Sequence, residues 1–265
     1  MTEGILSFLE ELKLRNEPMF YFGLLCFILS IVLIVLTKTS VTQIQGVNSW
    51  YKPFKFAISI GLFSWTMAWY CHYLSNFNPT PFNWTVIILF GFELVYIIFQ
   101  AYKGQLSHFN VSTPTYSMLY SLMGLAATIV TLYTAYIGLL FFTQSFPNLP
   151  NHYVWAIRLG ILIFVVFSFE GALMGSRMNH SVGAINDNSN WFIVGWSKTV
   201  GDLRVSHFIG MHALQLLPLL SFYVFKNTKV TIIISLLYAV LGATTLVQAL
   251  NGKPIFSQNE QKVSQ

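Results

Sequence analysis

The sequence predicts an all-α, polytopic transmembrane bundle of seven helices, preceded by a short helix lying in the membrane interface. Three observations carry this. Of 265 residues, 55% are hydrophobic and only 9% charged, against roughly 25% charged in soluble domains, so the chain cannot cover a water-facing surface. The apolar residues gather in runs long enough to cross a bilayer. The basic residues stand singly between those runs, as topology signals do. For the same reason the net charge of +5 does not imply a nucleic-acid partner: no basic stripe follows a phosphate backbone.

Residues 1–18 are expected to form the interfacial helix, because Ile5, Leu6, Phe8, Leu9 and Leu12 recur at helical spacing among charged residues. They are not a secretory signal, since Glu10, Glu11, Lys13, Arg15 and Glu17 precede the first long apolar run and no small-residue cleavage site follows it. A spanning helix needs about 20 mostly apolar residues, and seven stretches qualify: 19–37, 54–73, 84–102, 114–142, 153–176, 205–225 and 230–250. Together they make a transmembrane domain over 19–252. Pro53 and Pro114 stand at helix starts, where a missing N–H costs nothing, while Pro218 falls inside the sixth helix and predicts a kink. Ser117, Ser121, Gly124 and Thr128 form a small-residue face on the fourth helix, suited to close helix packing. Cys26 and Cys71 lie in apolar runs without zinc-like spacing and read as packing residues. Residues 253–265 are polar and read as a disordered tail.

Orientation follows from the basic residues. Lys38, Lys52, Lys55, Lys103, Arg177, Lys198, Arg204, Lys253 and Lys262 fall on one side, and Lys13, Arg15, Arg158, Lys226 and Lys229 on the other. The excess places the N-terminus outside and the C-terminus in the cytoplasm. The long loop at 177–204 is then cytoplasmic. Its patch of Trp191, Phe192, Ile193, Val194 and Trp196 suits a segment folded over the bundle rather than a solvated linker. A cell membrane is the expected location, and the compact form suits a bacterial inner membrane.

Ionisable side chains inside a membrane are costly and mark functional candidates. Glu93 lies in the third helix, Glu170 in the fifth, and His207, His212 and Gln215 in the sixth. At about 100° per residue, Glu93 shares a face with Gln100, Glu170 shares one with Arg177, and Gln215 projects between His207 and His212. Counting inward by about 1.5 Å per residue, these residues and His108 fall between the midplane and the cytoplasmic end. A common pocket is the expectation. Glu170, His212 and Glu93 are its candidate acid–base groups; Gln100, Gln215, Arg177 and Arg204 its candidate ligand-binding groups; and His207, His212 and His108 its candidate metal ligands. Plainer roles stand beside these: a structural Glu170–Arg177 pair, a solvated His108, and Asp202 as the N-cap of the sixth helix.

Three functions fit that pocket. The first is a membrane enzyme binding a metal, a haem or a lipid-like small molecule, with Arg177 and Arg204 holding an anionic headgroup or cofactor. His207 and His212 diverge too far on a straight helix to chelate one ion together. The second is a proton-coupled carrier or channel using Glu93, Gln100, Gln215, Glu170 and His212 as a relay. The third is a seven-helix ligand sensor. Retinal chemistry is excluded in its usual form, because residues 230–250 contain no lysine. P-loop, HExxH and GxSxG patterns do not occur.

Overall fold

A computed structural model describes residues 2–183, 191 and 194–256. Its main elements are α1 (Thr2–Arg15), α2 (Glu17–Thr39), α3 (Tyr51–Cys71), α4 (Thr80–Tyr102), α5 (Pro114–Thr143), α6 (Asn151–Ser168), α7 (Glu170–Arg177), α8 (Leu203–Leu220) and α9 (Thr228–Leu250). A π-helical turn, Ser221–Phe225, extends α8. Two short hairpins pair Gln43–Ile44 with Val47–Asn48 and Ser181–Val182 with Gly201–Asp202.

Caps set many of the boundaries. Asn16, Thr113, Asp202 and Asn227 each accept a backbone N–H from the first turn of α2, α5, α8 and α9, which satisfies donors the helix itself leaves open. Asp202 is therefore the N-cap of α8, as its place before Leu203 suggests. Asn16 also exchanges amide hydrogen bonds with Asn83, at 3.0 and 2.9 Å, tying the start of α2 to α4.

Six segments are long and apolar enough to cross a membrane: Glu17–Thr39, Thr80–Tyr102, Pro114–Thr143, Asn151–Arg177, Leu203–Phe225 and Thr228–Leu250. The chain is a helical bundle of the integral membrane type. The remaining long helix, α3, carries Lys55, Ser64, Thr66 and several Trp and Tyr residues, which lower its apolarity. It sits in the packing instead, burying Ala57, Ile60, Phe63, Met67 and Ala68 against its neighbours.

Three expectations need correction. The fifth predicted helix is not continuous: it breaks at Phe169 into α6 and α7. The small-residue face of α5 does not pack within the chain, since Ser121, Gly124 and Thr128 are exposed and both hydroxyls bond their own helix. Met123, Ala126, Val130, Ile137 and Phe141 turn inward instead. The tail is ordered as far as Phe256, because Lys253 N–H donates to the Gln248 carbonyl and the Phe256 ring meets Trp191. Residues 257–265 lie outside the described residues.

Apolar packing differs between the two ends. At the end carrying α1, one continuous core runs from Leu12 and Met19 through Tyr70, Phe82 and Phe141 down to Phe63, Phe164 and Leu214. Toward the other end, which carries the 177–204 segment, it divides into separate small clusters around Trp50, Phe167, Tyr96 and Met174. Buried polar residues occur at both ends, Asn16 and Asn83 at the first and Ser197 and Asp202 at the second.

Candidate functional site

The break between α6 and α7 is made by α8. His207 Nδ1 lies 2.8 Å from the Phe167 carbonyl oxygen. A carbonyl only accepts, so Nδ1 carries the hydrogen and Nε2 is the ring's remaining acceptor when neutral. Taking that carbonyl out of the helical ladder opens the turn, and Ala172 N–H bonds Phe169 instead. Glu170 then starts α7, buried, and the hydroxyl of Ser206 donates to its Oε1. Neighbouring residues of α8 thus hold both sides of the break.

This clamp needs α6 and α8 to approach closely. A methyl group on Gly160 would stand 2.9 Å from the Ala213 carbonyl oxygen, and one on Gly210 would stand 2.0 Å from Cγ of Phe167. Pro218 then frees a second carbonyl. It has no N–H for Leu214, whose oxygen accepts the Tyr70 hydroxyl at 2.7 Å. The kink expected at Pro218 is expressed just beyond it, as the π-helical turn.

Among the described residues four buried carboxyl and amide oxygens have no hydrogen-bond partner: Glu93 Oε1, Gln100 Oε1, Glu170 Oε2 and Gln215 Oε1. Glu93 and Gln100 lie on the buried face of α4. Gln100 spends its amide N–H groups on the Tyr96 hydroxyl and the Leu106 carbonyl, at 3.0 and 3.2 Å. Gln215 lies one turn from His212 and interacts with it, while the His212 ring meets Phe208 edge-on at 4.3 Å. All four orphans are acceptors, and an unpartnered buried acceptor costs about 1–3 kcal/mol.

The end of the bundle beyond these groups is cationic. Lys52 and Lys55 rise from the first turns of α3 and Arg204 from the first turn of α8. Lys55 Nζ donates to the Val194 carbonyl at 3.0 Å. Arg204 grips Asp202 through Nε at 2.9 Å and Nη2 at 2.6 Å, and also donates to the Gly195 carbonyl. Burial pushes the Asp202 carboxyl up, but the Arg204 bonds and charge outweigh it and hold the group below its usual range. His180 is driven down to about 4, first by burial and then by Arg204, with Lys52 and Lys55 adding to the effect. His108 is held well below its usual range by burial and by Lys52. Both imidazoles are therefore neutral at pH 7.

The structure separates several residues expected to act together. Arg177 is exposed at the end of α7 and Glu170 bonds Ser206 instead, so the anticipated Glu170–Arg177 pair does not form. His108 is not solvated: its ring packs on Phe56, Phe109 and Tyr120. His207 is committed through Nδ1 to a carbonyl. Among the described residues no three His, Cys, Asp or Glu side chains come together as metal ligands, so His108, His207 and His212 do not form a joint donor set. The described part of the 177–204 segment does lie over α3 and α8, through Val194, Gly195 and the Trp196–Phe208 contact. Phe192 and Ile193 lie outside the described residues.

Ser206 was missed because a serine beside a histidine carries no motif. Lys52 and Lys55 were counted only as topology charges, although their spacing of three puts them on one helix face. No family model, curated protein or solved structure matches the chain.

Proposed function

We propose that the protein is a seven-span membrane protein, with α3 as the seventh span, its N-terminus outside and its 177–204 segment cytoplasmic. Its buried acceptors bind a small molecule or lipid headgroup rich in N–H and O–H donors, and Glu93 and Glu170 exchange protons. The observation that carries this is the set of unpartnered acceptors on α4, α7 and α8. An unpaired carboxylate inside a membrane protein is costly, so each site calls for a proton, a counter-charge or a donor from a ligand. Two amide oxygens and two carboxyls suit hydroxyl or ammonium groups better than a softer metal. Histidine ligation of haem or a transition metal has less support, because the three histidines point to separate partners.

Infrared difference spectra of the purified protein between about pH 5 and pH 9 test the proton-binding step. The expected result is a buried carboxyl band in the wild type, with one component lost in Glu93→Gln and another in Glu170→Gln. Spectra identical in all three proteins would overturn the reading. Proton uptake into proteoliposomes separates a carrier from a binding protein or enzyme: only a carrier loses uptake on Glu93→Gln.

A further inference from the structure

We propose that Lys52, Lys55 and Arg204 form an anion site at the loop end of the bundle, built for a phosphate group. The first support is convergence. A methyl group placed on Gly195 would stand 3.7 Å from Lys55 Nζ and 4.0 Å from Arg204 Nη1. Both cations therefore border the same small space, and Lys52, three residues before Lys55 on α3, shares its helix face. Gly195 has a φ of +70°, so this position disfavours the side chain that would fill the gap.

The second support is unbalanced charge. Among the described residues Asp202 is the carboxylate beside Arg204 and Lys55, and it is already occupied by Arg204 Nε and Nη2, by the Arg204 N–H and by the Ser197 N–H. Lys253 borders Asp202 across a narrow cleft and adds to the positive side. His108 and His180, the nearby imidazoles, bring no negative charge. Like charges held together in a partly buried place repel strongly unless an anion joins them. Among the described residues Lys52, Lys55 and Arg204 outnumber that carboxylate by two before Lys253 is counted, an excess that suits a phosphate monoester dianion.

The third support is unused donors. Among the described residues Lys52 Nζ has no hydrogen-bond or ion-pair partner and sits 6.0 Å from the Phe56 ring centre. Among the described residues Arg204 Nη1 has no hydrogen-bond acceptor. In the two residues just before α3, Ser49 Oγ and Trp50 Nε1 are buried without partners. The α3 N-terminus has no side-chain cap, so its partial positive charge acts in the same direction. Trp50 Nε1 only donates and the Ser49 hydroxyl can donate, whereas the orphans on α4, α7 and the middle of α8 are acceptors. The two sites therefore take different chemistry.

The phosphate source is either a lipid headgroup or a soluble phosphate ester. Titration of the detergent-purified protein with inorganic phosphate, and native mass spectrometry of the protein in nanodiscs of phosphatidic acid or of phosphatidylcholine, tell them apart. The wild type is expected to bind phosphate, and Lys52→Gln to weaken it about tenfold or more, the worth of one charge-assisted bond. Lys52→Arg is expected to keep binding, and Lys226→Gln, at the opposite end, to leave it unchanged. Retention of phosphatidic acid over phosphatidylcholine points to the lipid source, and equal retention with phosphate binding intact points to the soluble one. Phosphate affinity unchanged in Lys52→Gln, or lowered as much by Lys226→Gln, overturns the proposal. Lys52 makes no hydrogen bond among the described residues, so its substitution removes charge without breaking one there. If Lys52→Gln still fails to purify as a monodisperse protein, Lys52→Met takes its place with the same expected loss.

Discussion

Replacing Gly210 with alanine tests the α6–α8 clamp most directly. The new methyl would stand 2.0 Å from Cγ, 2.1 Å from Cβ and 2.6 Å from Cδ2 of Phe167. Ordinary carbon contacts lie near 3.5–4.0 Å, so about 1.5 Å of separation is needed. The clashing atoms sit close to the Phe167 backbone and cannot swing clear by a change of rotamer. The ring also has no retreat, because a methyl on Gly242 would already stand 2.6 Å from its Cζ. Overpacking of this kind costs about 1–3 kcal/mol, sometimes more, and the upper end is expected here. Pushing α6 from α8 also strains the His207 bond to the Phe167 carbonyl and the Ser206 bond to Glu170. Thermal unfolding in detergent provides the assay, with Gly124→Ala as reference, since nothing lies within 4 Å of a methyl there. At roughly 2–4 °C per kcal/mol for a chain of this size, Gly210→Ala should melt several degrees below the reference, and adding Phe167→Leu should recover part of the loss. A Gly210→Ala protein that melts with the reference would refute the close-packed clamp.

Two further outcomes follow from the same site. Ser206→Ala leaves Glu170 with neither oxygen partnered and should cost about 1–3 kcal/mol in unfolding free energy, whereas Ser206→Thr should keep most of the stability. Acidification should loosen the loop end. The unfolded chain takes up the His180 proton near its ordinary value of 6.5 and the folded chain only near about 4, so this contribution is full above pH 6.5 and lost as pH falls between the two values. The loss is on the order of 3 kcal/mol. Unfolding curves against pH should be flatter in His180→Asn than in the wild type, and equal slopes would contradict the assignment.

The long helices were legible because hydrophobic run length is a direct consequence of bilayer thickness, and each predicted run falls on one or two of the helices found, with 54–73 overrunning α3 by two residues. The burial of Glu93, Gln100 and Glu170 was legible for a related reason: a polar side chain in an apolar run has nowhere cheaper to go than the interior. Partners were not legible. Nothing in the run 153–176 reveals that a histidine on another helix takes the Phe167 carbonyl and breaks it. Arg177 and Glu170 share a face only on a straight helix, and once Glu170 bonds Ser206 the arginine is left at the surface. Lys52 and Lys55 had the reverse fate. Their sequence neighbourhood marks them as loop charges, and only the return of Gly195 from far along the chain makes them part of a site.

The contrast between the two ends of the bundle bears on mechanism. At the α1 end the Arg15 guanidinium lies 3.8 Å over the Trp69 ring, Trp69 donates to the Tyr73 hydroxyl, and Tyr73 meets Tyr153. Below them lies the continuous apolar core. On the function proposed above, a ligand reaches the acceptors of Glu93 and Glu170 from the other end, past the cations at Gly195. To leave toward α1 it would have to part Tyr70 from the Leu214 carbonyl, at the one place where α8 lacks a backbone hydrogen bond because of Pro218. A carrier must open that contact in each cycle; a binding protein or enzyme never needs to. Tyr70→Phe removes the bond at almost no change in shape. Faster proton uptake in proteoliposomes made with that variant would place the barrier there, and an unchanged rate would leave access to the acceptors one-sided.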